Sequence, residues 1–285
     1  EGTGSGDAQF YQNIVLAGAD ERGDEVANEM TDLVLDVVEE LHISDFPIAV
    51  RLSAATPERL VRRVAALQRL GGGIVAVYNE DRIIPSLVKF GYPLEEARNF
   101  ANDGCWEILI PGKTCFGYQP LDALQLLQAT LGLGMSGTPR AEYPDFEALY
   151  DGFLGRLGFA LTGQVNSFDR SAMPTVLVDL LCEGCVQKGR SYFNLGPTYT
   201  VRSPHLGGLP DAVNSLLAIR TLVYERGQYS LPQLIELLRL DWQGHEDEAA
   251  RIRQELPLWG NDAEASDGLM RRVFDDFTGL VGKVP

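Results

Sequence analysis

The chain has 285 residues, 45% of them apolar and 22% charged, with 24 Lys and Arg against 40 Asp and Glu, a formal charge of −16. That length and apolar share support a sizeable core and exclude global disorder. The acidic balance argues against nucleic acid or an anionic membrane as partner, because both recruit clustered cations. No apolar run approaches the roughly 18 residues of a membrane-spanning helix. Four cysteines are too few for a disulfide scaffold and fit a reduced, cytoplasmic setting. The opening Glu1-Gly2-Thr3-Gly4-Ser5-Gly6 shows no basic stretch followed by an apolar run, so no signal peptide is expected, and both ends read as cut from something longer.

In chain order, Gln12 to Leu16 predicts a buried strand. Asp24 to Leu41 predicts a helix, with Val26, Met30, Leu33, Val34, Val37, Val38 and Leu41 on its apolar face. Ile48 to Leu52 predicts a second strand. A helix follows, with Thr56 as N-cap and Pro57 in its first turn, ending at Gly71-Gly72-Gly73. Ile74 to Val77 is a third strand, and short helices are expected over Ile83 to Phe90 and Pro93 to Ala101. Asp103 to Ile110 is a short extended segment. Helices then span Leu121 to Leu133, Phe146 to Leu161 and Thr175 to Gln187, and Tyr192 to Val201 is extended. Asp211 to Glu225 is the clearest later helix, followed by Leu231 to Leu240, Ala249 to Leu256 and Ala265 to Leu280. Strands alternating with helices predict an α/β protein with crossover connections.

A dinucleotide-binding loop, a phosphate-binding loop, a zincin helix and a nucleophile elbow are all absent. His42, His205 and His245 lack ligand-spaced neighbours and read as surface or core residues, and Cys182-Glu183-Gly184-Cys185 reads as a helical packing pair that binds no metal. The segment Asn102-Asp103-Gly104-Cys105-Trp106-Glu107 carries more chemistry. Gly104 permits a sharp turn, and in an extended segment Cys105 and Glu107 face one space. A thiol beside a carboxylate offers a reactive sulfur and a proton acceptor.

From this segment outward the chain resembles the glycyl radical enzymes, the pyruvate formate-lyase-like superfamily. Tyr11 to Gly18 is similar to the early barrel strand of that family, and Leu94 to Glu107 resembles the stretch leading into its active cysteine, with Ile110-Pro111-Gly112-Lys113-Thr114 following. Gly208 to Ile219 resembles a characteristic helix, and Leu258-Trp259-Gly260-Asn261-Asp262 a characteristic turn. The resemblance implies an α/β fold, part of a ten-stranded barrel surrounded by helices. Residues 1–285 would be a central part of that barrel domain. The glycine that carries the radical would lie outside the chain, since Arg271-Arg272-Val273 continues into Phe274-Asp275.

Gly104 before one cysteine, in a Cys-x-Glu pattern, resembles the dehydratase and lyase branch rather than pyruvate formate-lyase itself, which has two adjacent cysteines. Trp106 and Ile108 stand where the dehydratases carry a small aliphatic residue and a proline. The resemblance implies that Cys105 becomes a thiyl radical and abstracts a substrate hydrogen, that Glu107 acts as base, and that a leaving group departs from a small hydroxylated substrate. Tyr118 and Gln119 fall where the family places pocket residues. No cofactor or metal is expected in this chain. The glycyl radical is installed by a radical S-adenosylmethionine activase, and the complete enzyme is expected to be a homodimer. Formate acyltransferase activity and a non-catalytic barrel scaffold are the alternatives.

Overall fold

The structure, a computed structural model, describes residues 13–42, 48–71, 75–103, 107–134, 142–166 and 175–283. The chain divides into two compact units, the first made of residues 1–115 and 174–200, the second of residues 116–173 and 201–285.

The first unit begins with strands β1 (Ile14–Ala17), β2 (Ile48–Leu52) and β3 (Val75–Asn79), connected through helices α1 (Glu29–Leu41) and α2 (Glu58–Gln68). The strands form a parallel sheet in sequential order, with Ile14 paired to Ile48 and Ile48 to Val75. The period of two separates its faces. Leu16, Ile48, Val50 and Val75 pack on Leu35 and Val38 of α1 and on Leu60, Val64 and Leu67 of α2. On the other face, Val15, Ala49, Ala76 and Tyr78 pack on Phe100, Ile108 and Ile110. Burial on both faces explains why β2 reads as a nearly continuous apolar run.

Helices α3 (Glu80–Lys89) and α4 (Leu94–Arg98) follow β3. Strands β4 (Ala101–Asp103) and β5 (Glu107–Leu109) then make a short antiparallel pair. Strand β6 (Thr114–Asp122) pairs with β7 (Tyr199–Gly207). The second unit adds α5 (Ala123–Thr130), α6 (Phe146–Asn166), α8 (Leu209–Ile219), α9 (Leu231–Arg239), α10 (Glu246–Glu255) and α11 (Glu264–Val281), while α7 (Cys185–Lys188) belongs to the first. Leu149, Tyr150, Phe153, Leu157, Val213, Leu216 and Val273 form the core of the second unit. A cleft of about 810 Å³ opens in this unit against Leu127, Leu222, Leu234, Trp242 and Ile252.

Several expectations change, among them the extended segment from Tyr192, where the strand begins only at Tyr199. Only part of the stripe predicted to bury α1 does so: Val38 is buried and Val34 packs on the core, joined by Leu35, whereas Val26, Met30, Leu33, Val37 and Leu41 are exposed. Thr56 does not cap α2; its hydroxyl accepts from Ser53 N at 3.0 Å and donates to Glu25 at 2.9 Å, so it closes the preceding turn. Residues 175–187 are not one helix but a 3-10 turn over Leu177–Leu180 and then α7, because Gly184 at φ 98° interrupts the helical path. The helix expected over Asp211 to Glu225 turns into a π-helix at Arg220.

Candidate active site

The Cys-x-Glu segment lies on the hairpin of β4 and β5. Ala101 pairs with Leu109, Asn102 with Ile108 and Asp103 with Glu107. Directly paired residues share a face, so Asn102 lies on the Ile108 face, which packs against Tyr78, Phe100 and Ala49. Glu107 lies on the opposite face and is also buried, at 8% exposure. Residues 104–106 join the two strands; Cys105 is among them and lies outside the described residues. Glu107 is thus a buried carboxylate held at the first position of β5, two residues past the cysteine in sequence.

An ion pair anchors the start of this hairpin. Arg51, on the inner face of β2, is 6% exposed, and Glu80, at the start of α3, is 3% exposed; Nη2 and Oε1 are 2.5 Å apart. The guanidinium donates to Phe100 O at 3.1 Å, to Ala19 O at 3.2 Å and to Arg98 O, and lies 4.2 Å from the centroid of the Phe100 ring. Glu80 accepts from Ala19 N with both oxygens at 3.1 Å. Burial lowers the Arg51 pKa and Glu80 opposes that shift; arginine stays cationic in proteins. Gly18, at φ 90°, is required here, since a Cβ would stand 2.5 Å from Glu80 Oε1 and 2.7 Å from Arg51 Cβ.

A second polar network holds the turn after the hairpin. Lys113 donates to Glu96 at 2.9 Å and stands 3.4 Å from Glu183. Tyr199 donates to the other oxygen of Glu96 at 2.5 Å. The Tyr199 and Lys113 bonds hold the Glu96 carboxyl below its ordinary range, while burial and Glu96 push the Tyr199 phenol up to about 12. Asn102 is the exception in this well-bonded region: it is 7% exposed, and neither Oδ1 nor Nδ2 has a hydrogen-bond partner among the described residues.

Tyr118 and Gln119 are successive residues of β6, so their side chains leave opposite faces of the strand. Tyr118 is 52% exposed and stacks edge-on with His205 at 4.3 Å between centroids, whereas Gln119 is buried. His205 also meets Ser203 Oγ at 3.0 Å; His42 closes the end of α1, and His245 lies 3.3 Å from Glu248. Cys182 and Cys185 are buried, with the Cys182 thiol pushed by burial to about 11. Among the described residues no group of three or more His, Cys, Asp or Glu is arranged to hold a metal, and no helix is long and apolar enough to cross a membrane.

Sequence reasoning missed the clamp of Arg51 and Glu80. The available signal was an arginine at an inward position of an otherwise apolar strand, Ile48-Ala49-Val50-Arg51-Leu52.

A parallel β-α-β sheet with a cysteine-carboxylate hairpin packed on its inner face defines an α/β enzyme fold of the glycyl radical type. The family model described as pyruvate formate lyase-like matches residues 2–285, and the chain belongs to that family. Among curated relatives, trans-4-hydroxy-L-proline dehydratase of Clostridioides difficile is 25% identical over 287 residues, covering 94% of this chain and 36% of the relative. Isethionate sulfite-lyase of Desulfovibrio desulfuricans is 25% identical over 291 residues, covering 92% and 34%. Among solved structures, the glycerol-bound B12-independent glycerol dehydratase from Clostridium butyricum superposes with a TM-score of 0.84 at 23% identity, covering 96% of this chain and 37% of that one. Hydroxyproline dehydratase from Clostridioides difficile with its substrate bound gives 0.81 at 25% identity, covering 95% and 36%. The chain spans about a third of the length of the relatives it matches.

Proposed function

We propose that residues 1–285 are a central part of the barrel domain of a glycyl radical lyase or dehydratase acting on a small hydroxylated substrate. The observation that carries this reading is the buried Glu107 on the β4–β5 hairpin, two residues beyond Cys105, in a chain of this family. The relatives' names support the reaction class, since they include dehydratases and a sulfite-lyase. The cluster of Tyr78, Phe100, Ile108 and Ile110 seats the other face of the hairpin, and the burial of Glu107 itself suits chemistry that must exclude water and stray hydrogen donors.

In this reading a protein glycyl radical, installed by a radical S-adenosylmethionine activase, supplies the oxidising equivalent that turns the Cys105 thiol into a thiyl radical. Cys105 Sγ takes a hydrogen atom from a substrate carbon, forming S–H and leaving a carbon radical. Glu107 takes the proton of the hydroxyl on that carbon, and the resulting ketyl radical expels the adjacent leaving group with its electron pair. The product radical recovers the hydrogen atom from Cys105, which regenerates the thiyl. Tyr118 and Gln119 contribute substrate contacts, and the complete enzyme works as a cytoplasmic homodimer.

Anaerobic activation of the full-length protein tests the reading. The panel is propane-1,2-diol, glycerol, trans-4-hydroxy-L-proline, isethionate and choline. A glycyl radical signal by electron paramagnetic resonance, with elimination product from one of these compounds, is expected. Cys105→Ser should keep the radical and lose turnover. Turnover in Cys105→Ser would overturn the proposal, and coenzyme-A-dependent cleavage of a 2-oxo acid by the wild type would replace it with acyl transfer.

A further inference from the structure

We propose that Arg51 is the positioning residue of this site: it fixes the backbone from which the hairpin carrying Glu107 starts. The inference rests on the role proposed for Glu107 and adds the group that sets its place.

Besides its pairing with Glu80, the guanidinium donates through Nη1 and Nη2 to backbone carbonyls. It binds Arg98 O, the last residue of α4, and Phe100 O, the residue immediately before β4. Its face covers the Phe100 ring. From Phe100 the chain enters Ala101–Asp103, whose register with Glu107–Leu109 is fixed by the strand pairing. Two rigid links therefore join Arg51 to Glu107: a planar fork on the Arg98 and Phe100 carbonyls, then the antiparallel ladder. Glu80 and Ala19 hold the fork from behind. A buried ion pair adds little net stability over well-packed apolar residues, so stability alone does not account for a charge here. Orientation does, because the guanidinium offers five donors in a fixed plane and an ammonium does not.

The test uses the activated full-length enzyme, with the panel compound it turns over fastest as substrate. Arg51→Lys keeps the charge and loses the fork. A displacement of about 1 Å costs about 10²-fold in rate, so kcat should fall roughly 10- to 100-fold. KM should stay within about threefold, and the glycyl radical should still form. Amides of residues 101–109 should exchange hydrogen at least tenfold faster, with the helices of the first unit unchanged. In the Glu107→Gln background Arg51→Lys should add less than about threefold, because there is no base left to misplace. Multiplicative loss in the double variant, or unchanged kcat in Arg51→Lys, would overturn the proposal. Should Arg51→Lys fail to fold, Glu80→Gln leaves the guanidinium in place but loosens it, and the same non-additivity decides. Near-normal turnover in Glu107→Gln would instead remove the base and its positioning together.

Discussion

Asp103 and Glu107 stand opposite one another in the antiparallel register of β4 and β5. The pairing closes the hairpin on both sides of residues 104–106 and puts Glu107 on the face away from Asn102 and Ile108. The carboxyl group is buried on that face, at 8% exposure, while Ile108 on the other face seats the hairpin on the sheet.

Asn102 is the weak point of that packing. Both polar groups of its carboxamide are buried without partners among the described residues, which is costly, whereas an apolar group of similar shape is neutral or better. Asn102→Leu should raise stability by about 1 kcal/mol in urea unfolding. A loss of similar size would show that the carboxamide is bonded in solution.

The network of Glu96, Lys113 and Tyr199 makes stability depend on pH in two windows. Bonds from Tyr199 and Lys113 lower the Glu96 pKa from 4.5, so its contribution is complete above about pH 4.5 and disappears as pH falls through the lower folded value. The Tyr199 pKa is raised from 10.0 to about 12, so its contribution is complete below pH 10 and is lost as pH rises towards 12. Glu96→Gln should flatten the acid arm of a stability–pH curve. An unchanged acid arm in that variant would contradict the assignment.

In the second unit, Phe153 is fully buried among Leu149, Tyr150 and Leu157. Phe153→Ala should cost about 3–5 kcal/mol, as expected for an aromatic side chain removed from a packed core. A measured loss below about 1 kcal/mol would mean that the α6 face is not the core of this unit.

The Cys182 thiol, raised from 9.0 to about 11 chiefly by burial, should be protonated at neutral pH. Two units correspond to about 100-fold less thiolate, so alkylation in the native protein should be slower than in urea by at least that factor. Equal rates would place the thiol in solvent.

Much of the fold was legible in local pattern. Ile48 to Leu52 is the strand predicted, and the helix expected from Asp211 is present from Leu209, with Val213, Leu216, Leu217, Ile219 and Leu222 buried. Helix α1 misled in part because its apolar residues spread over more than one strip: Val38 is buried as expected, but only the tertiary contacts select Leu35 over Met30 and Leu33. Strand β6 was missed because Gly117 and Pro120 interrupt its pattern and its partner, β7, is distant in sequence. Within the candidate site, the carboxylate was visible from Cys-x-Glu spacing and family resemblance. The Arg51–Glu80 clamp was not, because it pairs side chains 29 positions apart and ties them to the backbone carbonyls of Ala19, Arg98 and Phe100, which sequence periodicity does not encode.

The most direct measurement is the turnover of Glu107→Gln in the activated full-length enzyme, read beside the amplitude of its glycyl radical signal. The substitution keeps the shape of the side chain and removes the base, and losing one positioned base costs about 10²–10⁴-fold in rate. The account predicts a fall in kcat of that size with the radical signal retained; turnover within about threefold of wild type would contradict it.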